Sequence, residues 1–178
     1  MSLQQREELL ALLQKRKWPC KCHRLNIVPP ELGQSKPEQQ TLNQCESQIF
    51  GSTNRGMRVL YEKIREMIPE DFEQGPNLCF TINHNVTCFP HRDAGNVGES
   101  LAMFMGDFTG GELLLEDGQC FSEKEVWHRY EGWRLTHWNT PHEGDKFSII
   151  VHNCKKPLAW PNRKVPAERT DRKHCASV

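Results

Sequence analysis

No hydrophobic run in these 178 residues approaches the roughly 20 that a membrane-spanning helix needs. The longest apolar stretches, such as Leu113–Leu115 and Phe147–Val151, are far shorter, and mean hydropathy is −0.71. A secretory signal is not expected either. The opening Met1-Ser-Leu-Gln-Gln-Arg-Glu-Glu has acids and glutamines where a signal peptide has a cationic stretch followed by an apolar one. The expectation is an intracellular protein, cytoplasmic or nuclear. Net charge is lacking too, since 23 Lys and Arg balance 23 Asp and Glu, which excludes the heavily basic balance of a nucleic-acid coat. The total conceals a gradient. Residues 1–68 carry 11 basic and 7 acidic side chains (+4), residues 69–153 carry 5 and 14 (−9), and residues 154–178 carry 7 and 2 (+5).

Eight cysteines (Cys20, Cys22, Cys45, Cys79, Cys88, Cys120, Cys154 and Cys175) are present, but without an export signal they read as reduced thiols rather than a disulfide framework. Cys20-Lys-Cys22-His23 offers zinc-type ligands. It lacks the Cys-x2–4-Cys spacing and the second pair of a structural site, so none is expected there.

A mass of 20.7 kDa suits one domain with an ordinary core. Leu3 to Lys17 reads as an amphipathic helix capped by Ser2, with early acids, late bases and an apolar face from Leu3, Leu9, Leu10, Leu12 and Leu13. Trp18-Pro19 ends it. A strand is predicted over His23–Val28, a loop over Pro29–Gln44, and a second helix from Asn54 to Met67. Short β-prone runs then follow at Leu78–Asn83, Val86–Phe89, Ser100–Gly106, Glu112–Glu116, Val126–Tyr130, Arg134–Asn139 and Lys146–Asn153. Turn signals separate them at Asp107, Gly110-Gly111, Glu116-Asp117-Gly118, Glu131-Gly132 and Glu143-Gly144. This pattern predicts a mainly β fold with N-terminal helical support in residues 1–75, a β core in 76–153 and a basic irregular tail in 154–178.

His91-Arg92-Asp93 carries the sharpest chemical signal. In an extended segment the side chains at i and i+2 share a face, so His91 and Asp93 can converge on one ion while Arg92 points away. A second histidine is needed, and His128, His137 and His142 are the candidates. Two His and one carboxylate with open positions form the facial triad of non-haem Fe(II) oxygenases. A dicarboxylate cosubstrate also needs a cation for its far end. Lys146 and Ser148 alternate on one face of the last strand and supply a cation and a hydroxyl.

The run His137-Trp-Asn-Thr-Pro-His-Glu-Gly-Asp-Lys146-Phe-Ser148 resembles the distal-histidine segment of Fe(II)/2-oxoglutarate dioxygenases, in which a basic residue follows the histidine by nine or ten positions. That register implies His137 as the third ligand, not His142. The resemblance extends to Asn83-His-Asn-Val-Thr-Cys-Phe-Pro-His91-Arg-Asp93-Ala-Gly-Asn96 and Asp107-Phe-Thr-Gly-Gly-Glu-Leu-Leu-Leu115, about residues 78–153. It implies a double-stranded β-helix (jelly-roll), Fe(II) on His91, Asp93 and His137, and 2-oxoglutarate on Lys146 and Ser148. O2 is the co-oxidant, with ascorbate as an accessory reductant, and the reaction is hydroxylation of a C–H bond. Most relatives have Arg where Lys146 stands; collagen-type prolyl hydroxylases have Lys. Asn83 and Tyr130 are further candidates for cosubstrate contact.

For the substrate, His91-Arg-Asp93-x-x-Asn96 resembles TET-type enzymes and, more distantly, J-binding-protein oxygenases. That likeness implies a methylated nucleobase of the 5-methylcytosine or thymine type in nucleic acid, with Asn96 contacting the base and the basic tail contacting phosphate. The acidic middle of the chain speaks against phosphate. A peptide or amino-acid substrate is the second reading, since Gly110-Gly-Glu-Leu113 and Lys146 resemble the prolyl-hydroxylase branch, and Trp127, Trp133 and Trp138 are candidates to line a groove. A non-catalytic, cupin-like metal-binding module is the third. His128 and His152 are read as hydrogen-bonded histidines, and Phe104, Phe108, Phe121 and Phe147 as core.

Overall fold

The computed structural model describes residues 1–18, 23–28, 38–42, 45–51 and 55–155. Helix α1 (Leu3–Lys15) begins in a capping box, in which the Ser2 hydroxyl accepts from the Gln5 N–H and the Gln5 side chain accepts from the Ser2 N–H. It ends two residues earlier than the sequence suggested. Arg16 turns extended, and the Trp18 indole N–H donates 3.0 Å back to the Leu13 carbonyl, satisfying one of the acceptors that a helix end leaves open. Helix α2 (Arg55–Met67) buries Met57, Leu60, Tyr61, Ile64 and Met67, the spacing of a single helical face.

The strands are β1 (His23–Val28), β2 (Glu38–Leu42), β3 (Cys45–Gly51), β4 (Leu78–His84), β5 (Asn96–Gly110), β6 (Leu113–Leu115), β7 (Cys120–Phe121), β8 (His128–Tyr130), β9 (His137–Asn139) and β10 (His142–Cys154). Seven form one sheet in the order β2-β3-β1-β4-β10-β5-β8, and three form a second, β7-β6-β9. All pairings are antiparallel except β1 with β3. The fold is mainly β, as expected. Among the described residues no helix is long and apolar enough to cross a membrane.

Three local expectations are corrected. Residues 38–42, read as part of a loop, form β2, which pairs with the unanticipated β3; thus residues 1–75 contribute strands to the large sheet as well as helices. Val86–Phe89 forms no strand, because the chain leaves β4 at Asn85 with φ 52°. Asp107 and Glu143-Gly144 do not reverse the chain. Gly106 (φ 108°) and Gly144 (φ 95°) instead lie within the paired strands β5 and β10, where a Cβ on either would run into the carbonyl oxygen of Asp145 or Asp107. These glycines absorb a bend shared by two long strands.

Period-2 alternation divides the large sheet into two faces. Leu25 and Ile27 of β1, Phe80 and Ile82 of β4, Leu101, Met103 and Met105 of β5, and Phe147, Ile149 and Val151 of β10 join the buried faces of both helices in one apolar cluster. The opposite face meets the small sheet through a second cluster of Ala102, Phe104, Phe108, Leu113, Leu115 and Tyr130, with Ile150 against it. Lys146 and Ser148 share the face of Ile150. Ile82 is fully buried and Val59 is 48% exposed. Ile82→Ala is therefore expected to destabilise by about 2–5 kcal/mol in urea unfolding, and Val59→Ala by no more than about 0.5 kcal/mol; equal losses would place the core elsewhere.

Candidate metal centre

His91 and His137 meet through the backbone. Each N–H donates to the other's carbonyl, at 3.0 and 2.9 Å, forming an antiparallel bridge outside the named strand pairs. Directly opposed residues put their side chains on the same side, and the two imidazole centroids are 4.3 Å apart. The tautomers are set by the carbonyl two residues before each histidine. His91 Nδ1 is 2.6 Å from the Phe89 oxygen, and His137 Nδ1 is 3.1 Å from that of Leu135. With Nδ1–H donating, each Nε2 lone pair is free as a ligand.

Asp93 completes the group. Its N–H donates 2.8 Å to the Gly132 carbonyl, and its two carboxylate oxygens lie 3.7 Å from His91 Nε2 and 3.5 Å from His137 Nε2. One ligand atom from each of the three residues falls within 4.8 Å of the others, so this cluster could hold a metal ion. Burial lowers the His91 pKa. Burial also opposes the Asp93 charge, but the hydrogen bond and charge of His137 with that of His91 prevail and hold it below the usual carboxylate range. For His137, burial pulls the pKa down and the Asp93 hydrogen bond and charge outweigh it, leaving it raised. The carboxylate thus attracts a positive charge that a divalent ion can replace.

The other histidines are engaged elsewhere. His128 Nε2 lies 2.8 Å from the Glu123 carbonyl and its ring stacks on Phe104 and Phe121, and His142 Nδ1 is 3.4 Å from the Thr87 hydroxyl. His152 contacts Thr81 and Cys154. Arg92 points outward, as expected, to Glu116 and Thr136.

Lys146 is 1% exposed. Its ammonium donates to the Gly111 carbonyl and sits 5.0 Å from the Phe104 ring centroid; among the described residues it has no ion pair. Burial lowers its pKa to about 8. Ser148 is the register partner of Asn83, and both are buried. Tyr130 packs edge-on against His137 at 5.2 Å, and burial holds its hydroxyl pKa well above the ordinary value. Neither the Ser148 nor the Tyr130 hydroxyl has a hydrogen-bond partner among the described residues. Asn96 is buried, and its N–H closes a turn onto the Asp93 carbonyl at 2.8 Å.

Of the tryptophans proposed for a groove, Trp127 is not in one. Its indole N–H donates to the Met67 carbonyl and its ring packs on the helix-side cluster. Trp133 is 38% exposed, with the Lys155 ammonium 5.9 Å from its ring; Trp138 is half-buried in β9. Cys20, Cys22 and residues 156–178 lie outside the described residues, so the zinc motif and most of the basic tail do too. Cys79, Cys88, Cys120 and Cys154 are free thiols.

Two neighbours escaped the sequence reading. Arg24 of β1 is buried against Asn83 and Cys88. Gly132 looked like an ordinary turn glycine, yet a Cβ there would lie 2.7 Å from the Tyr130 ring, 3.1 Å from His137 Cε1 and 3.4 Å from an Asp93 oxygen. Only the closure of the 131–137 segment onto the triad creates that demand. Gly132→Ala is expected to weaken Mn(II) binding about 10–100-fold in calorimetric titration, and His137→Ala to abolish it while His142→Ala leaves it unchanged. A metal-binding loss confined to His142→Ala would reject the cluster.

No protein-family model matches the chain, and a search of curated proteins finds no match. Among solved structures, it is similar to the crystal structure of an oxidoreductase of the 2OG-Fe(II) oxygenase family from Burkholderia pseudomallei. The TM-score is 0.45 at 12% identity, covering 71% of this chain and 77% of that one. It is also similar to the crystal structure of IDO from Bacillus thuringiensis, with a TM-score of 0.41 at 11% identity over 85% of each chain. Likenesses this distant assign no function.

Proposed function

We propose that this chain is an Fe(II)- and 2-oxoglutarate-dependent dioxygenase that hydroxylates a C–H bond. The supporting observation is the convergence of His91, Asp93 and His137 within ligand distance of one another, beside a buried lysine that makes no ion pair among the described residues. Two imidazoles and one carboxylate, leaving further positions open, suit Fe(II). A buried ammonium beside a free hydroxyl suits a carboxylate. The alternation of chain segments between two facing sheets supports a double-stranded β-helix, with residues 76–153 as its catalytic core.

In this reading the Nε2 atoms of His91 and His137 and the Asp93 carboxylate hold the iron. Lys146 and Ser148 hold the far carboxylate of 2-oxoglutarate, with Asn83 and Tyr130 beside them. Bound there, iron and cosubstrate would supply the oxidising power for inserting oxygen into the C–H bond, with succinate and CO2 as the co-products. The protein keeps the two imidazoles in fixed tautomers and excludes water with Phe104, Phe108 and Tyr130. For the substrate, Asn96, three residues past Asp93, supports a methylated nucleobase. The net charge of −9 over residues 69–153 favours the second reading, a peptide or amino acid, because a polyanion is repelled by an acidic surround.

Lys146 makes cosubstrate binding dependent on pH. Only the ammonium form pairs with a carboxylate, so affinity for 2-oxoglutarate is expected to hold below a pH of about 8 and to fall up to about tenfold per unit above it. Lys146→Ala should weaken binding about 10–100-fold, the loss of one charge-assisted hydrogen bond, and flatten that profile. A profile unchanged by the substitution would remove Lys146 from the site. Succinate release, assayed with Fe(II) against methylated DNA, methylated RNA, proline-rich peptides and free amino acids, should require 2-oxoglutarate and vanish in Asp93→Ala. Failure of the wild type to bind both Fe(II) and 2-oxoglutarate would sink the proposal; stimulation by one panel alone identifies the substrate class.

A further inference from the structure

Arg24 is a second buried cation on the same wall as Lys146, and it is 8% exposed. Its Nε donates 2.7 Å to Asn83 Oδ1, and one terminal nitrogen donates 3.3 Å to the Cys88 sulfur. Neither partner carries a negative charge: one is an amide, and burial pushes the Cys88 thiol pKa up. Among the described residues Arg24 has no carboxylate partner. The guanidinium offers five N–H donors, of which the bonds to Asn83 and Cys88 use two. A buried guanidinium with spare donors and no counter-charge is costly unless an anion completes it.

Its position gives the anion a place. Arg24 pairs in register with Asn83, and Asn83 with Ser148, so the three stand in one row across β1, β4 and β10 at about 4.8 Å per strand. The Arg24 charge also reaches His91, Tyr130 and Cys88, and Cys88 in turn feels Asp93 and Lys146. By strand register Arg24 therefore stands on the same face of the large sheet as Ser148 and Lys146. The planar fork of a guanidinium matches a carboxylate in two parallel hydrogen bonds, which an ammonium cannot provide.

We propose that Arg24, braced by Asn83, forms a second anion subsite on this face of the large sheet, taking a carboxylate separate from the one held by Lys146 and Ser148. As a deepening of the dioxygenase reading it rests on that assignment for its role, though not for its existence. The carboxylate belongs either to an acidic substrate or to the metal-proximal end of the cosubstrate.

The test begins in chelator, with no metal present. Succinate, set against chloride at matched ionic strength, should raise the thermal midpoint of the wild type saturably, those of Lys146→Met and Arg24→Gln by clearly less, and that of the double variant not at all. Arg24→Lys keeps the charge and should respond with at least tenfold weaker apparent affinity. Should Arg24→Gln fail to fold, the wild-type arginine side-chain NMR signals provide the same reading, since one protected guanidinium should shift on titration. An Arg24→Gln response equal to the wild type, or no guanidinium shift, overturns the subsite.

With Mn(II) present, a rise of at least tenfold in the 2-oxoglutarate Kd of Arg24→Gln assigns the anion to the cosubstrate. An unchanged Kd, with Arg24-dependent binding of acetate at saturating 2-oxoglutarate, assigns it to the substrate. Absence of Mn(II) and 2-oxoglutarate binding in the wild type would reject the dioxygenase reading while leaving the chelator result to judge Arg24.

Discussion

The candidate centre depends on two backbone hydrogen bonds, those exchanged by His91 and His137. They tie a segment that belongs to no strand to the edge of the small sheet, and by opposing the two residues they bring both imidazoles to one side. The remaining restraints follow from that pairing. The carbonyl two residues before each histidine receives its Nδ1–H, so both rings present Nε2. Asp93 follows His91 by two residues, and its own N–H is anchored on Gly132. Without the bridge, His91 and His137 would be 46 positions apart in sequence with nothing to align them.

The large sheet separates two environments whose requirements conflict. One face is closed by both helices in an apolar cluster, and this burial supplies the principal driving force for folding. The other carries Arg24, Asn83, Lys146 and Ser148 in an interior where polar groups are normally paired. Two buried cations without an ion pair among the described residues are a cost to the fold, offset by the apolar face behind them. Such a conflict between local chemistry and packing is characteristic of functional surfaces. At Gly106 and Gly144 positive φ lets the two longest strands bend together and stay paired.

Residue chemistry made a good part of this legible in advance. His91-x-Asp93 is a local pattern, because alternation along an extended segment dictates that i and i+2 share a face. Lys146 and Ser148 are visible for the same reason. His137 could be separated from His128 and His142 only through a family resemblance, since no local rule relates residues on different strands. Strands β2 and β3 were missed because their Gln-, Glu- and Ser-rich runs carry little strand signal, and the pairing of β3 with β1 and of β2 with β3, not intrinsic propensity, holds them extended. Asp107 and Glu143-Gly144 misled because a glycine with positive φ is used both to reverse a chain and to bend one.

The sequence by itself determined the two periodicities, the Ser2 cap, the lack of a long apolar run and the pairing of a histidine with an aspartate two residues on. All are properties of a few neighbouring residues. Tertiary structure decided which histidine comes within ligand distance of His91 and Asp93, that a side chain on Gly132 would crowd Tyr130 and His137, and that Arg24 shares a sheet face with Lys146. Those are relations between segments brought together only by strand pairing, and register across a sheet is set by burial of whole faces rather than by any local signal.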